Sequence, residues 1–249
     1  MLHAFGNGTL FGETYGSGPV RVVWLHGWGR SSADFAASAQ ELAAEGVASV
    51  ALDLPGFGAS PLPTVAGGAR LYAELLWPVL AAMSDEPLVL VGHSFGGRVA
   101  TVLAAQHPEA WRAVVLTGVP LLRTATSSKS PLAYRVIRQL AKRGLIPAAR
   151  LEAARQKYGS ADYRAAQGLL REILVTTVNE DYRDELSQIT APTTFLWGSA
   201  DTAASSTMAE RAMGMVVGPT TWRLLDGVGH LIPTLVPQSL SGAVREALA

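Results

Sequence analysis

The chain has 249 residues, of which 49% are hydrophobic, and its 20 basic and 20 acidic side chains cancel. That length suffices for one sizeable core with room for an inserted subdomain, and the balanced charge argues against bulk nucleic-acid or polybasic membrane binding. The absence of cysteine excludes disulfides, zinc–thiolate sites and a thiol nucleophile.

The opening residues, Met1-Leu2-His3-Ala4-Phe5, carry neither the basic nor the apolar region of a signal peptide, so the expected setting is cytoplasmic. Residues 10–15 read as adding an antiparallel hairpin at the sheet edge, and 20–25 as a buried strand broken by Gly27-Trp28-Gly29. Ser32 is placed to cap a helix over 33–44 that Gly46 ends. A strand follows over 47–52, then a turn at Pro55-Gly56-Phe57-Gly58. A helix is predicted over 64–83, weakened by Gly67-Gly68 and Pro78. Its apolar run over 75–83 is too short to cross a bilayer, so no membrane partner is expected.

The apolar strand over 88–91 leads directly into Gly92-His93-Ser94-Phe95-Gly96, and a helix over 95–106 leaves it. This is a Gly-x-Ser-x-Gly elbow in strand–turn–helix context, which projects a serine hydroxyl where a histidine can take its proton. His107-Pro108 stops the helix, and 113–117 is the next strand. The rhythm then breaks. Residues 120–189 contain no convincing strand and read as helices over 133–143, 148–158 and 162–177, the last with Ser160 as its cap. Strands at 193–197 and 221–225 and a helix over 238–248 complete the chain. Strands alternating with helices imply right-handed crossovers and a mostly parallel α/β sheet flanked by helices. The predicted organisation is a core from 1–119 and 190–249 with a helical cap, or lid, inserted at 120–189.

A serine nucleophile of this type needs a base and an acid later in the chain. His230, in Gly229-His230-Leu231-Ile232-Pro233, follows a predicted strand and is the candidate base. Asp201, in Trp197-Gly198-Ser199-Ala200-Asp201, is placed to accept the Nδ1–H of His230. Asp226 is the rival acid, but its position before Gly227 is already explained as a turn former. The segment 116–120, where some enzymes of this layout carry the acid, has no carboxylate. The backbone N–H groups of Phe95 and Trp28 are the candidate oxyanion donors, with the dipole of the helix beginning at Phe95 behind them. His26 is read as ordering its loop, with no catalytic role.

These motifs resemble the α/β-hydrolase superfamily. His26-Gly27-Trp28-Gly29, Asp53-Leu54-Pro55-Gly56-Phe57-Gly58, the Ser94 elbow, the Asp201 segment and Gly229-His230 stand in its expected order across nearly the whole chain outside 120–189. The resemblance implies a triad of Ser94, Asp201 and His230, and a purely structural turn at 53–60. It also points to the small carboxylesterases and related acyl hydrolases, with no metal or organic cofactor. A serine elbow departs from the haloalkane dehalogenases and epoxide hydrolases, whose elbows carry aspartate.

The expected reaction is cleavage of a carboxylic ester of a small, mainly apolar substrate through an acyl-enzyme. Thioester or carbon–carbon cleavage with the same triad is the alternative, as is a slow-turnover small-molecule receptor on the same fold. Apolar cap residues such as Leu121, Leu132, Ile173, Leu174 and Tyr182 favour an apolar ligand, although most of them are expected only to fix the cap to the core. Residues 120–189 hold twelve basic and seven acidic side chains, a net of +5. Arg135, Arg138 and Lys142 share one helix face. The plain reading is a solvated face; the sharper one is a docking site for an acidic partner such as an acyl carrier protein.

Overall fold

The computed structural model describes residues 1–123, 132–158 and 160–249. The side chains of Leu132, Lys142 and Ala148 lie outside that description, and so does the part of the expected cap at 124–131 and 159. Strands β1 (Leu2–Phe5), β2 (Leu10–Tyr15), β3 (Val20–Leu25), β4 (Ala48–Asp53), β5 (Leu88–His93), β6 (Trp111–Thr117), β7 (Thr193–Gly198) and β8 (Thr220–Leu225) form one sheet in the order β1-β2-β4-β3-β5-β6-β7-β8. Only the β1–β2 and β2–β4 pairs are antiparallel. The order reverses at β3, which lies between β4 and β5. The carboxyl ends of β3 and β5 therefore flank a crevice of the kind where open α/β sheets bind ligands.

The central strands are apolar without alternation because both of their faces are covered. Val23, Leu25, Leu90, Val114 and Leu116 pack on one side, with helices α2 (Ala69–Ala81) and α3 (Phe95–Gln106). Val22, Trp24, Val89, Val91 and Val115 face the other side, against α1 (Ala36–Ala44) and the C-terminal helix. Between β6 and β7 lie α4 (Leu132–Lys142), α5 (Ala148–Tyr158), α6 (Ala161–Ala165), α7 (Gly168–Thr177) and α8 (Arg183–Leu186). Helix α9 (Ser206–Met213) joins β7 to β8, and α10 (Ile232–Leu235) and α11 (Pro237–Leu248) follow. No helix among the described residues is long and apolar enough to cross a membrane.

Several local expectations shift. Ser32 opens a 3₁₀ turn over Ser32–Phe35 before α1, and its N–H donates to Asp53 Oδ1 at 2.7 Å. Helix α2 starts at Ala69, because Gly67-Gly68 offers no helical preference and the Glu180 carboxylate caps the helix by accepting the Ala69 N–H at 2.8 Å. Pro78 is accommodated inside α2. The helix expected over 162–177 is two helices, α6 and α7, parted at Ala166-Gln167. Ser160 does cap α6, its Oγ accepting the Tyr163 N–H at 3.2 Å.

Candidate active site

Strand β5 delivers Ser94 to a turn too tight for side chains on either side. A Cβ on Gly92 would stand 2.5 Å from Gly97 Cα, and one on Gly96 would stand 2.2 Å from the Leu25 carbonyl oxygen. Ser94 itself sits at φ 50°, ψ −110°, a conformation rare for any residue but glycine. Such strain costs of order 1–3 kcal/mol and persists only where the surroundings enforce it. Here the Ser94 N–H donates to Thr117 O at 3.0 Å and the Gly96 N–H to His26 O at 2.9 Å, tying the elbow to β6 and to the loop after β3.

Ser94, His230 and Asp201, far apart in sequence, meet at this point. His230 Nε2 lies 3.0 Å from Ser94 Oγ, and Nδ1 lies 2.8 Å from Asp201 Oδ2. The loop after β7 buries Asp201 and directs the N–H groups of Ala203 and Ala204 onto its other oxygen, both at 2.8 Å. Burial alone would raise the pKa of this carboxyl group. The hydrogen bonds from His230, Ala204 and Ala203 outweigh burial and hold it below the usual carboxylate value. Asp226 is exposed and accepts from Ser199 Oγ at 3.1 Å, while the Nδ1 side of His230 is taken by Asp201. Gly118, just past β6, keeps the space beside the pair open, since a Cβ there would lie 3.0 Å from His230 Nδ1 and 3.3 Å from Asp201 Oδ2.

The other buried histidines are structural. His26 Nδ1 meets Gly27 O at 2.7 Å while Nε2 accepts the Leu54 N–H at 2.9 Å, which fixes a neutral ring with its proton on Nδ1. Burial lowers its pKa. His93 Nε2 lies 3.0 Å from His230 O, so this ring donates to the backbone of the residue that faces Ser94. Burial, with His230 beside it, lowers the His93 pKa to about 4 and keeps it neutral. Asp53 belongs to a turn: Oδ1 accepts from Ser32 N at 2.7 Å and Oδ2 from Ala59 N at 2.8 Å, while Ser60 Oγ donates to Asp53 O at 2.6 Å.

Phe95 is the first residue of α3, so its N–H has no intrahelical acceptor. Trp28 lies across from it, the two rings 5.3 Å apart and edge-on. Both line a cavity of about 310 Å³ together with Ser94, His230, Leu174 and Val178. Among the described residues no cluster of three or more His, Asp or Glu is placed to hold a metal ion.

A family model described as the alpha/beta hydrolase fold matches residues 20–140. A pimeloyl-[acyl-carrier protein] methyl ester esterase of Chromobacterium violaceum is 43% identical over 108 residues, 43% of this chain but only 39% of that protein. The protein of the same name from Aeromonas salmonicida is 31% identical over 207 residues, covering 76% of this chain and 80% of the relative. This chain belongs to the α/β-hydrolase family. A solved membrane phospholipase A superposes with a TM-score of 0.74 at 24% identity, over 100% of this chain and 84% of that one, a likeness of fold alone.

Within this α/β-hydrolase, the helical segment contributes to the site in a way the sequence did not make plain. Leu121, Ile173 and Tyr182 are buried, but of the apolar residues singled out between 120 and 189 only Leu174 reaches the cavity over Ser94. Arg98, Thr177 and Val178 line that cavity and were not anticipated. The available signal was spacing: Arg98 follows Ser94 by four residues on a helix, one turn on and on the same side.

Proposed function

We propose that this α/β-hydrolase cleaves carboxylic esters through an acyl-Ser94 intermediate. The observation carrying this reading is the continuous contact from Ser94 Oγ through His230 to Asp201, at 3.0 and 2.8 Å. Ser94 Oγ attacks the ester carbonyl as His230 Nε2 takes its proton, and the Asp201 carboxylate stabilises the imidazolium. The N–H groups of Phe95 and Trp28 receive the oxyanion, helped by the positive end of α3. His230 returns its proton to the departing alcohol, then activates the water that releases the acid. The chemistry calls on no metal or organic cofactor.

Residues 120–189 act as a cap over the core formed by 1–119 and 190–249, and Leu174 and Val178 are its largest apolar contributions, beside Asp162 and Thr177, to a pocket for a small, mainly apolar substrate. A fluorophosphonate probe is expected to label Ser94, and p-nitrophenyl esters of graded acyl length to be turned over with a clear optimum. Labelling without turnover of any ester would overturn the reading in favour of a receptor. A preference for thioesters over matched oxygen esters would move it to that class.

A carrier-bound acyl ester is the second reading, favoured by the names of the esterase relatives. Arg135 and Arg138 are both exposed on α4 and present cations to an acidic surface, while the third member of that face, the Lys142 side chain, lies outside the described residues. Reversing Arg135 and Arg138 to Glu is expected to lower kcat/KM on a carrier-bound ester, relative to the same ester free in solution, by about tenfold. An unchanged ratio would remove the carrier from this face.

A further inference from the structure

The cavity over Ser94 continues beyond its apolar wall. It shares Arg98, Pro120, Val178 and Ala203 with a second cavity of about 740 Å³, so Arg98 stands at the junction of the two. The larger chamber also has Ser160, Thr202, Ser205 and the acidic Glu180 on its walls.

Arg98 is only 9% exposed. Its Nη1 donates to Thr177 O, at the end of α7, at 2.5 Å, and its guanidinium carbon lies 5.9 Å from the centre of the Tyr182 ring. A guanidinium has five N–H donors in a planar fork, and the Thr177 carbonyl with the Tyr182 hydroxyl does not use all of that fork. Among the described residues no carboxylate is in ion-pair contact with Arg98.

The acids nearby are engaged elsewhere. Glu180 accepts the Ala69 N–H at 2.8 Å and the Tyr182 hydroxyl at 2.7 Å, and lies 3.5 Å from Arg70. Glu185 pairs with Arg70 at 2.5 Å. Asp162 lines the Ser94 cavity but is an exposed residue. Burial therefore lowers the Arg98 pKa, although an arginine stays charged. A buried cation facing a cavity beside the nucleophile, without a carboxylate bonded to it, matches an oxyanion on the ligand, which the fork can hold through two hydrogen bonds.

We propose that Arg98 is a specificity-determining residue that binds a carboxylate carried by the substrate, joined to the scissile ester by a short linear spacer. Arg98 is one helical turn from Ser94, about 6 Å along the axis, which places the anion on the acyl chain itself rather than on a distant carrier. The proposal rests on the ester-hydrolase reading. The competing role is a clamp, in which Arg98 only fastens the end of α7 to α3 through Thr177 and Tyr182.

The test uses half-esters against neutral esters of equal acyl length: monomethyl adipate with methyl hexanoate, and monomethyl suberate with methyl octanoate. The wild-type protein is expected to prefer a half-ester in kcat/KM. Arg98→Gln, which keeps an N–H donor but no charge, is expected to lower the ratio of the two values by about tenfold or more. Arg98→Lys, a point charge without the fork, is expected to restore part of it. A clamp alone would lower both substrates together and leave the ratio unchanged, which overturns the proposal, as does a wild-type protein with no preference.

A binding arm separates this proposal from the reaction. Free suberate titrated into Ser94→Ala is expected to bind at least about tenfold more tightly than into Ser94→Ala/Arg98→Gln. If that difference appears while no ester is cleaved, the carboxylate site stands and the hydrolase reading fails. If neutral esters are cleaved while suberate binds both variants equally and half-esters gain nothing, the carboxylate site fails and the hydrolase reading stands.

Discussion

Replacing Ser94 with alanine is expected to lower kcat/KM on every ester the wild-type protein cleaves by about 10⁴-fold or more, without unfolding the chain. The loss is large because the other groups serve one hydroxyl. In the proposed mechanism, with Oγ gone, His230 has no proton to accept at the 3.0 Å contact, and the N–H groups proposed as oxyanion donors, of Phe95 and Trp28, are left to stabilise only attack by water. The fold persists because the strained turn is held by backbone contacts, Ser94 N–H to Thr117 O and Gly96 N–H to His26 O, neither of which needs the side chain.

The same geometry separates two effects that usually travel together. At φ 50°, ψ −110° Ser94 occupies the region of the first central position of a type II′ turn, where glycine is at ease. Ser94→Gly is therefore expected to be as inactive as the alanine variant yet to melt at a temperature no lower than the wild type. Kinetics on a p-nitrophenyl ester together with thermal unfolding of both variants check this. Near-normal turnover by Ser94→Ala would remove Ser94 from the reaction, and a glycine variant markedly less stable than alanine would contradict the account of strain at the elbow.

How far the chain reveals itself depends on whether a feature is written locally. The central strands were legible because covering both faces makes them continuously apolar, as in Leu88-Val89-Leu90-Val91. Strand β1 was not: Leu2, His3 and Ala4 are exposed on a sheet edge, so burial imposes no pattern on them. The start of α2 was misplaced because its cap, Glu180, is 111 residues away.

The site divides in the same way. Ser94, His230 and Asp201 carry their own signals, in glycines that permit tight turns and in their order along the chain. Arg98 carries only its four-residue spacing from Ser94, since a charged residue on a helix ordinarily reads as solvated, and its burial against Thr177 and Tyr182 is made by a segment that arrives some eighty residues later. Gly118 was silent, because what it must avoid, the His230–Asp201 pair, comes from two other loops.

The choice between the two acids gives the second large effect. Asp201→Asn is expected to lower kcat by about 10⁴-fold, and Asp226→Asn by less than about twofold. The reason lies in the two N–H groups, from Ala203 and Ala204, that meet Asp201 Oδ1 at 2.8 Å. An asparagine there must turn its single oxygen toward those donors, so its NH₂ faces His230. The ring then accepts at Nδ1 and carries its proton on Nε2, the nitrogen 3.0 Å from Ser94 Oγ, and a protonated Nε2 cannot take the serine proton. Turning the amide the other way leaves an NH₂ against two N–H donors, and the unmade bond to the buried one, from Ala204, costs roughly 1–3 kcal/mol. Asp226 faces no such choice, because its bond to Ser199 lies at the exposed surface. Nitrogen NMR of the His230 ring reads the tautomer directly, and the expected result is a switch of the proton from Nδ1 to Nε2 in Asp201→Asn alone. If Asp226→Asn were the more damaging of the two, or if the ring kept its proton on Nδ1 while activity collapsed, the role assigned to Asp201 would fall.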